Sequence, residues 1–303
     1  MKYQTEQRDW QWRGWKVRYV FTPNSPKKLD QKAPAILLLH GFGAALGHWR
    51  GNYAALSAHH QVYALDLLGF GNSEKPPTFY GTSVWVEQIF DFWRTFIQRP
   101  IIIVGNSLGA LVALMATHLH PEMSMGIVTI SLPDLNELEE LVPKPIRPLK
   151  RSLESIVGSF LARPLFYIVR RPQSIRFVLE NIAYGDRTQV DDQLVQIIAQ
   201  PAQDLKAVKA FYYLNISMNQ SDNLSGSLPT NKEAISQLKV PMLILWGVKD
   251  RIIPPAFGRK LVKYSPLVQL VEFPSLGHCP QDEAPSLVNG EILQWIDKIG
   301  SDP

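Results

Sequence analysis

The 303-residue sequence predicts an α/β protein with a mainly parallel, doubly wound sheet and an inserted helical cap. Three observations predict it. Unbroken apolar runs recur as AILLLHGFG, VYALDLLGFG, IIIVGNSLG, GIVTISLPD and MLILWGVKD, each leading into glycine, histidine or aspartate. Stretches with helical spacing fall between the runs. The alternation stops after Asp134 and resumes near Val240.

Each element has its own reason. The opening WQWRGWKVRYVFT alternates aromatic and charged residues about Gly14, which suggests an antiparallel hairpin on the sheet edge. Continuous Ile, Leu and Val mark strands buried on both faces, as parallel sheets require. VWVEQIFDFWRTFI is amphipathic, and the alanine-rich LGALVALMATHLH is closed by Pro121. Strands alternating with helices build a doubly wound sheet. After Asp134, LESIVGSFLARPLFYIVRR, QSIRFVLENIAYG and DDQLVQIIAQ have helical spacing, and NQSDNLSGSLPTN is a polar, turn-rich exit. The expected division is a core of residues 1–133 and 229–303 with a helical cap, or lid, over 134–228.

Composition narrows the function classes. With 46% hydrophobic and 19% charged residues, the chain can fill one large core plus a subdomain. A net charge of +4 is spread along the chain, and no basic block suggests a nucleic-acid arm. The single cysteine, Cys279, excludes an internal disulfide and argues against a thiolate zinc site. The polar start MKYQTEQRDW carries no secretory pattern, and no run reaches the ~20 apolar residues of a membrane span. A cytoplasmic protein is expected.

The candidate chemistry sits at strand ends. Gly105-Asn106-Ser107-Leu108-Gly109 follows the strand IIIV and opens a helix, so Ser107 can stand on a tight turn with its hydroxyl projecting. His40-Gly41-Phe42-Gly43 closes the strand AILLL; the backbone N–H groups of Phe42 and Leu108 are the candidate oxyanion donors. A serine hydroxyl needs a base, and that base needs a carboxylate to orient it. His278, after the strand VQLVEF, is the candidate base. Asp250, at the end of WGVKD, is the candidate acid, with Asp134 as its rival. His48 is close enough in sequence to the HGFG turn to line a pocket, whereas His59, His60, His118 and His120 read as surface residues. These histidines show no metal-ligand spacing, so neither metal nor cofactor is expected. Cys279 reads as a packing residue, and DLLGFGNS at 66–73 as scaffold.

Together HGFG, DLLGFGNS, GNSLGA, WGVKD and GHCPQDEAP resemble the α/β-hydrolase superfamily over nearly the whole chain outside the cap. GNSLGA with the GHCPQDE ending is similar to the pheophytinase and chlorophyll dephytylase group of plants and cyanobacteria. That resemblance implies the α/β-hydrolase fold, a triad at Ser107, Asp250 and His278, oxyanion donors at Phe42 and Leu108, and hydrolysis of a phytyl ester in chlorophyll catabolism. Ala110 departs from the second glycine that many relatives carry after the elbow.

The cap bears on substrate. From Lys144 to Arg176 it holds eight basic residues against Glu154, interleaved with apolar ones; Phe160, Phe166 and Tyr167 are its substrate-contact candidates. A basic, aromatic surface suits an apolar ester and peripheral contact with an anionic membrane, such as a thylakoid. Nucleic acid is not an expected partner. Two other readings stay open: a carbon–carbon bond hydrolase of the same fold, and a hydrolase fold reused as a small-molecule receptor.

Overall fold

The computed structural model describes residues 6–22, 33–134, 162–219 and 228–301. Eight strands form one sheet: β1 (Glu6–Trp12), β2 (Trp15–Phe21), β3 (Ala35–Leu39), β4 (Val62–Leu65), β5 (Ile101–Asn106), β6 (Ser124–Ile130), β7 (Met242–Gly247) and β8 (Val268–Phe273). Their order is β1-β2-β4-β3-β5-β6-β7-β8. The β1–β2 hairpin occupies one edge and joins β4 antiparallel, while β4 to β8 and β3 pair in parallel.

Side chains leave a strand on alternate faces. The central runs therefore supply two cores at once. Leu37, Leu39, Ile103 and Ile127 pack on one side with Trp85, Ile89 and Phe92 of helix α1 (Thr82–Phe96) and with the nearly all-buried helix α2 (Leu108–Leu119). Ile36, Leu38, Ile102 and Val128 pack on the other with Val288, Ile292 and Trp295 of the C-terminal helix. Each fully buried Leu or Ile contributes about 1.5–3 kcal/mol relative to exposure.

Between β6 and β7 the described residues form α3 (Ala162–Val169), α4 (Pro172–Val178), a π-helical turn at Leu179–Ala183, α5 (Asp192–Ala202) and α6 (Ala207–Asn219). The C-terminal helix is α7 (Pro285–Ser301). The cap helices have small cores of their own. Ile175, Leu179, Val190, Leu194 and Val195 enclose Cys279, and Phe166 packs on Ala207 and Val208. Arg176, counted among the cap's basic residues, is half-buried and paired with Glu180, Asp192 and the Val190 carbonyl. Among the described residues no helix is long and apolar enough to cross a membrane.

His60 corrects its surface assignment. It is buried, and its Nδ1 lies 2.9 Å from the Pro34 carbonyl. Polar neighbours in sequence did not reveal the backbone acceptor waiting for the ring.

Candidate active site

The chain reverses direction across the sheet at β3, whose neighbours are β4 on one side and β5 on the other. The carboxyl ends of strands at such a point open a crevice. HGFG leaves β3 there, and GNSLG leaves β5.

Ser107 is the turn between β5 and α2. Its φ of 53° and ψ of −116° hold it in a region that L residues avoid. The turn closes only because glycines flank it: a Cβ on Gly105 would stand 2.2 Å from the Gly109 carbonyl oxygen, and one on Gly109 would stand 2.3 Å from that of Leu39. The Ser107 N–H donates to the Ile130 carbonyl at 2.8 Å. Leu108 starts α2, where an N–H has no intrahelical partner. Gly41 lies against the serine, since a Cβ there would be 3.3 Å from Ser107 Cβ. Phe42, half exposed at 50%, follows it and meets Phe70 edge-on. Ala110 is fully buried in the core beside the turn.

Asp250 and His278 come from the ends of β7 and β8. His278 Nδ1 is 2.8 Å from Asp250 Oδ2, with both side chains buried. Asp250 Oδ1 accepts the N–H groups of Ile252 and Ile253 at 2.8 and 2.9 Å, which fixes the carboxylate. Asp250, not Asp134, thus holds the imidazole. Asn106 joins this pair to the serine turn: its Nδ2 donates to the His278 carbonyl at 3.1 Å.

Below HGFG, the fully buried Asp66 accepts the N–H groups of Leu46 and Asn72, both at 2.7 Å. Burial raises its pKa, opposed by His40, by these N–H groups and by Lys75. A Cβ on Gly71, whose φ is +51°, would sit 2.1 Å from that carboxyl carbon. DLLGFGNS is therefore scaffold. The buried His40 accepts the Leu67 N–H on Nε2 at 3.0 Å and reaches the Gly41 carbonyl through Nδ1 at 2.8 Å.

His48 is buried rather than displayed. Its Nε2 lies 3.1 Å from the Tyr184 hydroxyl, which donates to Asp282 at 2.8 Å; Arg50 then joins Asp282 to Asp191. Burial lowers the His48 pKa to about 4. Cys279 is buried in the cap core, and burial pushes its thiol pKa well up, so it packs and does not attack. Of the cap candidates, Phe166 is buried against Phe211, Tyr167 is exposed under the Arg170 guanidinium, and Phe160 lies outside the described residues. Tyr184 and Asp282 carried no signal of their own in the sequence, because their meeting depends on how the cap docks.

The fold and this strand-end constellation define a hydrolase, and the comparisons give its family. The chain belongs to the alpha/beta hydrolase family, whose model matches residues 36–291. It is 28% identical to the chloroplastic pheophytinase of Arabidopsis thaliana over 94% of its own length, and spans 65% of that relative's length. It is 26% identical to the 2-hydroxy-6-oxo-6-(2'-aminophenyl)hexa-2,4-dienoic acid hydrolase of Metapseudomonas resinovorans, covering 88% of this chain and 85% of that one. The structure is similar to that of a serine hydrolase involved in carbazole degradation, with a TM-score of 0.74 at 21% identity over 97% of this chain and 99% of the other.

Proposed function

We propose that the chain is a serine hydrolase that cleaves the carboxylic ester of an apolar alcohol, with a phytylated pigment as substrate and residues 134–228 as the lid. The observation that carries it is the buried Asp250–His278 pair, tied through Asn106 to the strained turn of Ser107.

In this reading the Ser107 hydroxyl attacks the ester carbonyl while His278 Nε2 takes its proton. The carbonyl oxygen becomes an oxyanion facing the N–H groups of Phe42 and Leu108, each contributing about 3–4 kcal/mol to the transition state. Collapse breaks the carbon–oxygen bond, and the imidazolium returns the proton to the departing alcohol. Water, deprotonated by His278, then clears the acyl-enzyme, and Asp250 stabilises the charged imidazole in both steps. The exposed apolar cap residues Leu165, Ile168, Phe177 and Ile182 support a lipid-like substrate, as does the similarity to pheophytinase. Similarity to the dienoic acid hydrolase keeps a second reading, in which the same serine opens a carbon–carbon bond.

The test is hydrolysis of chlorophyll a, pheophytin a, a nitrophenyl ester and a dienoate acid by wild type and Ser107→Ala. Dephytylated pigment from wild type alone is the expected result. Turnover of the dienoate with no ester cleavage would transfer the assignment to the second reading, and equal activity in both proteins would remove Ser107 from the chemistry.

A further inference from the structure

One buried carboxylate joins the His278 loop to the cap. Glu283 ends the helical turn Pro280–Glu283, five residues beyond His278, and is buried. Its Oε1 accepts the Gly277 N–H at 2.8 Å. Its Oε2 accepts the N–H groups of Gly185 and Asp186 at 2.7 and 3.3 Å. Gly277 immediately precedes His278, whereas Gly185 and Asp186 leave the cap's π-helical turn.

The two segments cross with no room between them. A Cβ on Gly185 would lie 2.4 Å from the Ser275 carbonyl oxygen, and one on Gly277 would lie 2.4 Å from that of Ala183. At the end of β7, a Cβ on Gly247 would lie 2.0 Å from the Gly277 carbonyl oxygen. Backbone passing backbone at glycines has little side-chain relief to set its position, so polar contacts must set it. The His278 N–H donates to the Ala183 carbonyl at 2.6 Å, and the His278 carbonyl accepts from Asn106. The base therefore hangs between the cap and the serine turn. Carboxylate-to-amide hydrogen bonds are the strong kind, and a buried carboxylate needs them.

We propose that Glu283 is a positioning residue: by gathering the N–H groups of Gly277, Gly185 and Asp186 it fixes the cap to the His278 loop and sets the imidazole's place relative to Ser107. The proposal rests on the serine-hydrolase reading above. It makes the cap segment 183–186 part of the support for the base as well as part of the lid. A displacement of about 1 Å at a reacting group can cost on the order of a hundredfold in rate.

The test uses the full chain as wild type, Glu283→Gln and Glu283→Asp. Labelling to completion with a fluorophosphonate counts reactive serines, and nitrophenyl ester kinetics are then expressed per labelled site. Glu283→Gln replaces an acceptor with an amide donor facing N–H groups. Glu283→Asp keeps the charge but withdraws it by one methylene, a milder change if the first variant folds poorly. The expected result is kcat per site lowered at least about tenfold in Glu283→Gln, and less in Glu283→Asp, with KM within about twofold. Fewer reactive sites with unchanged kcat per site would reduce Glu283 to a stabilising contact and overturn the proposal. Absence of labelling in the wild type itself would instead sink the serine reading, and this proposal with it.

Discussion

At the scale of single residues, His40 shows how a hydrogen-bond direction becomes a chemical one. The Leu67 N–H donates to Nε2, so that nitrogen carries no proton and Nδ1 must donate to the Gly41 carbonyl. Burial lowers the imidazole pKa and keeps the ring neutral in that tautomer. The Gly41 carbonyl and the Phe42 N–H belong to one planar peptide unit and point in opposite directions. Holding the carbonyl therefore aims the proposed oxyanion donor. His40→Phe keeps an aromatic ring and removes both bonds. We expect kcat on a nitrophenyl ester to fall about ten- to a hundredfold, short of the ~10²–10³ for deleting a donor outright, with KM little changed. An unchanged kcat would mean that the Ala44 N–H, 3.2 Å from the same carbonyl, suffices to hold the peptide.

At the scale of elements, what the sequence made legible follows from where burial is two-sided. β3, β5 and β7 read as strands because every residue in them is buried, and the GNS turn after β5 reads as a serine elbow because its glycines cannot be anything else. Ser107 and Asp250 were legible for the same reason, each following such a strand. His278 follows the half-buried edge strand β8 and was legible from GHCPQDEAP and from the chain order of serine, acid and histidine. The crossing of Gly185 with Gly277 was not, since it joins backbone to backbone across ninety-two residues and leaves no side-chain pattern. His60 misled because its acceptor is a main-chain carbonyl. The same contrast predicts opposite effects of one methyl group. Gly105→Ala drives a Cβ into the Gly109 carbonyl and must push α2 off β5, costing at least about 1–3 kcal/mol. Gly290→Ala, inside α7 with nothing within 4 Å of the new Cβ, should stabilise by about 0.5–1 kcal/mol. Urea denaturation of both variants reads the two signs directly; a stabilising Gly105→Ala would refute the account of the turn.

At the scale of the whole molecule, three parts of the chain converge under the cap: the segment after β3, the cap turn and the loop after β8. Tyr184 and Asp282 link the last two, and His48 joins them from the first. That junction carries a pH signature. Unfolded, the His48 imidazole takes up a proton near pH 6.5; folded, burial delays this until about pH 4. Between those values the unfolded chain binds the extra proton, so folding loses stability as pH falls through the window. The loss from His48 alone is about 2–3 kcal/mol at pH 4.5. Asp66 and Glu283, whose pKa values burial raises, act with the opposite sign, because the folded state takes up their protons first. The total slope therefore does not isolate the histidine, but a variant does. His48→Gln retains an amide donor for the Tyr184 hydroxyl and does not titrate. Measured by urea unfolding from pH 7 to 4.5, wild type should lose about 2–3 kcal/mol more than His48→Gln. Equal losses would mean that His48 protonates as readily in the folded junction as in the unfolded chain, and that the junction opens to water before the rest of the molecule unfolds.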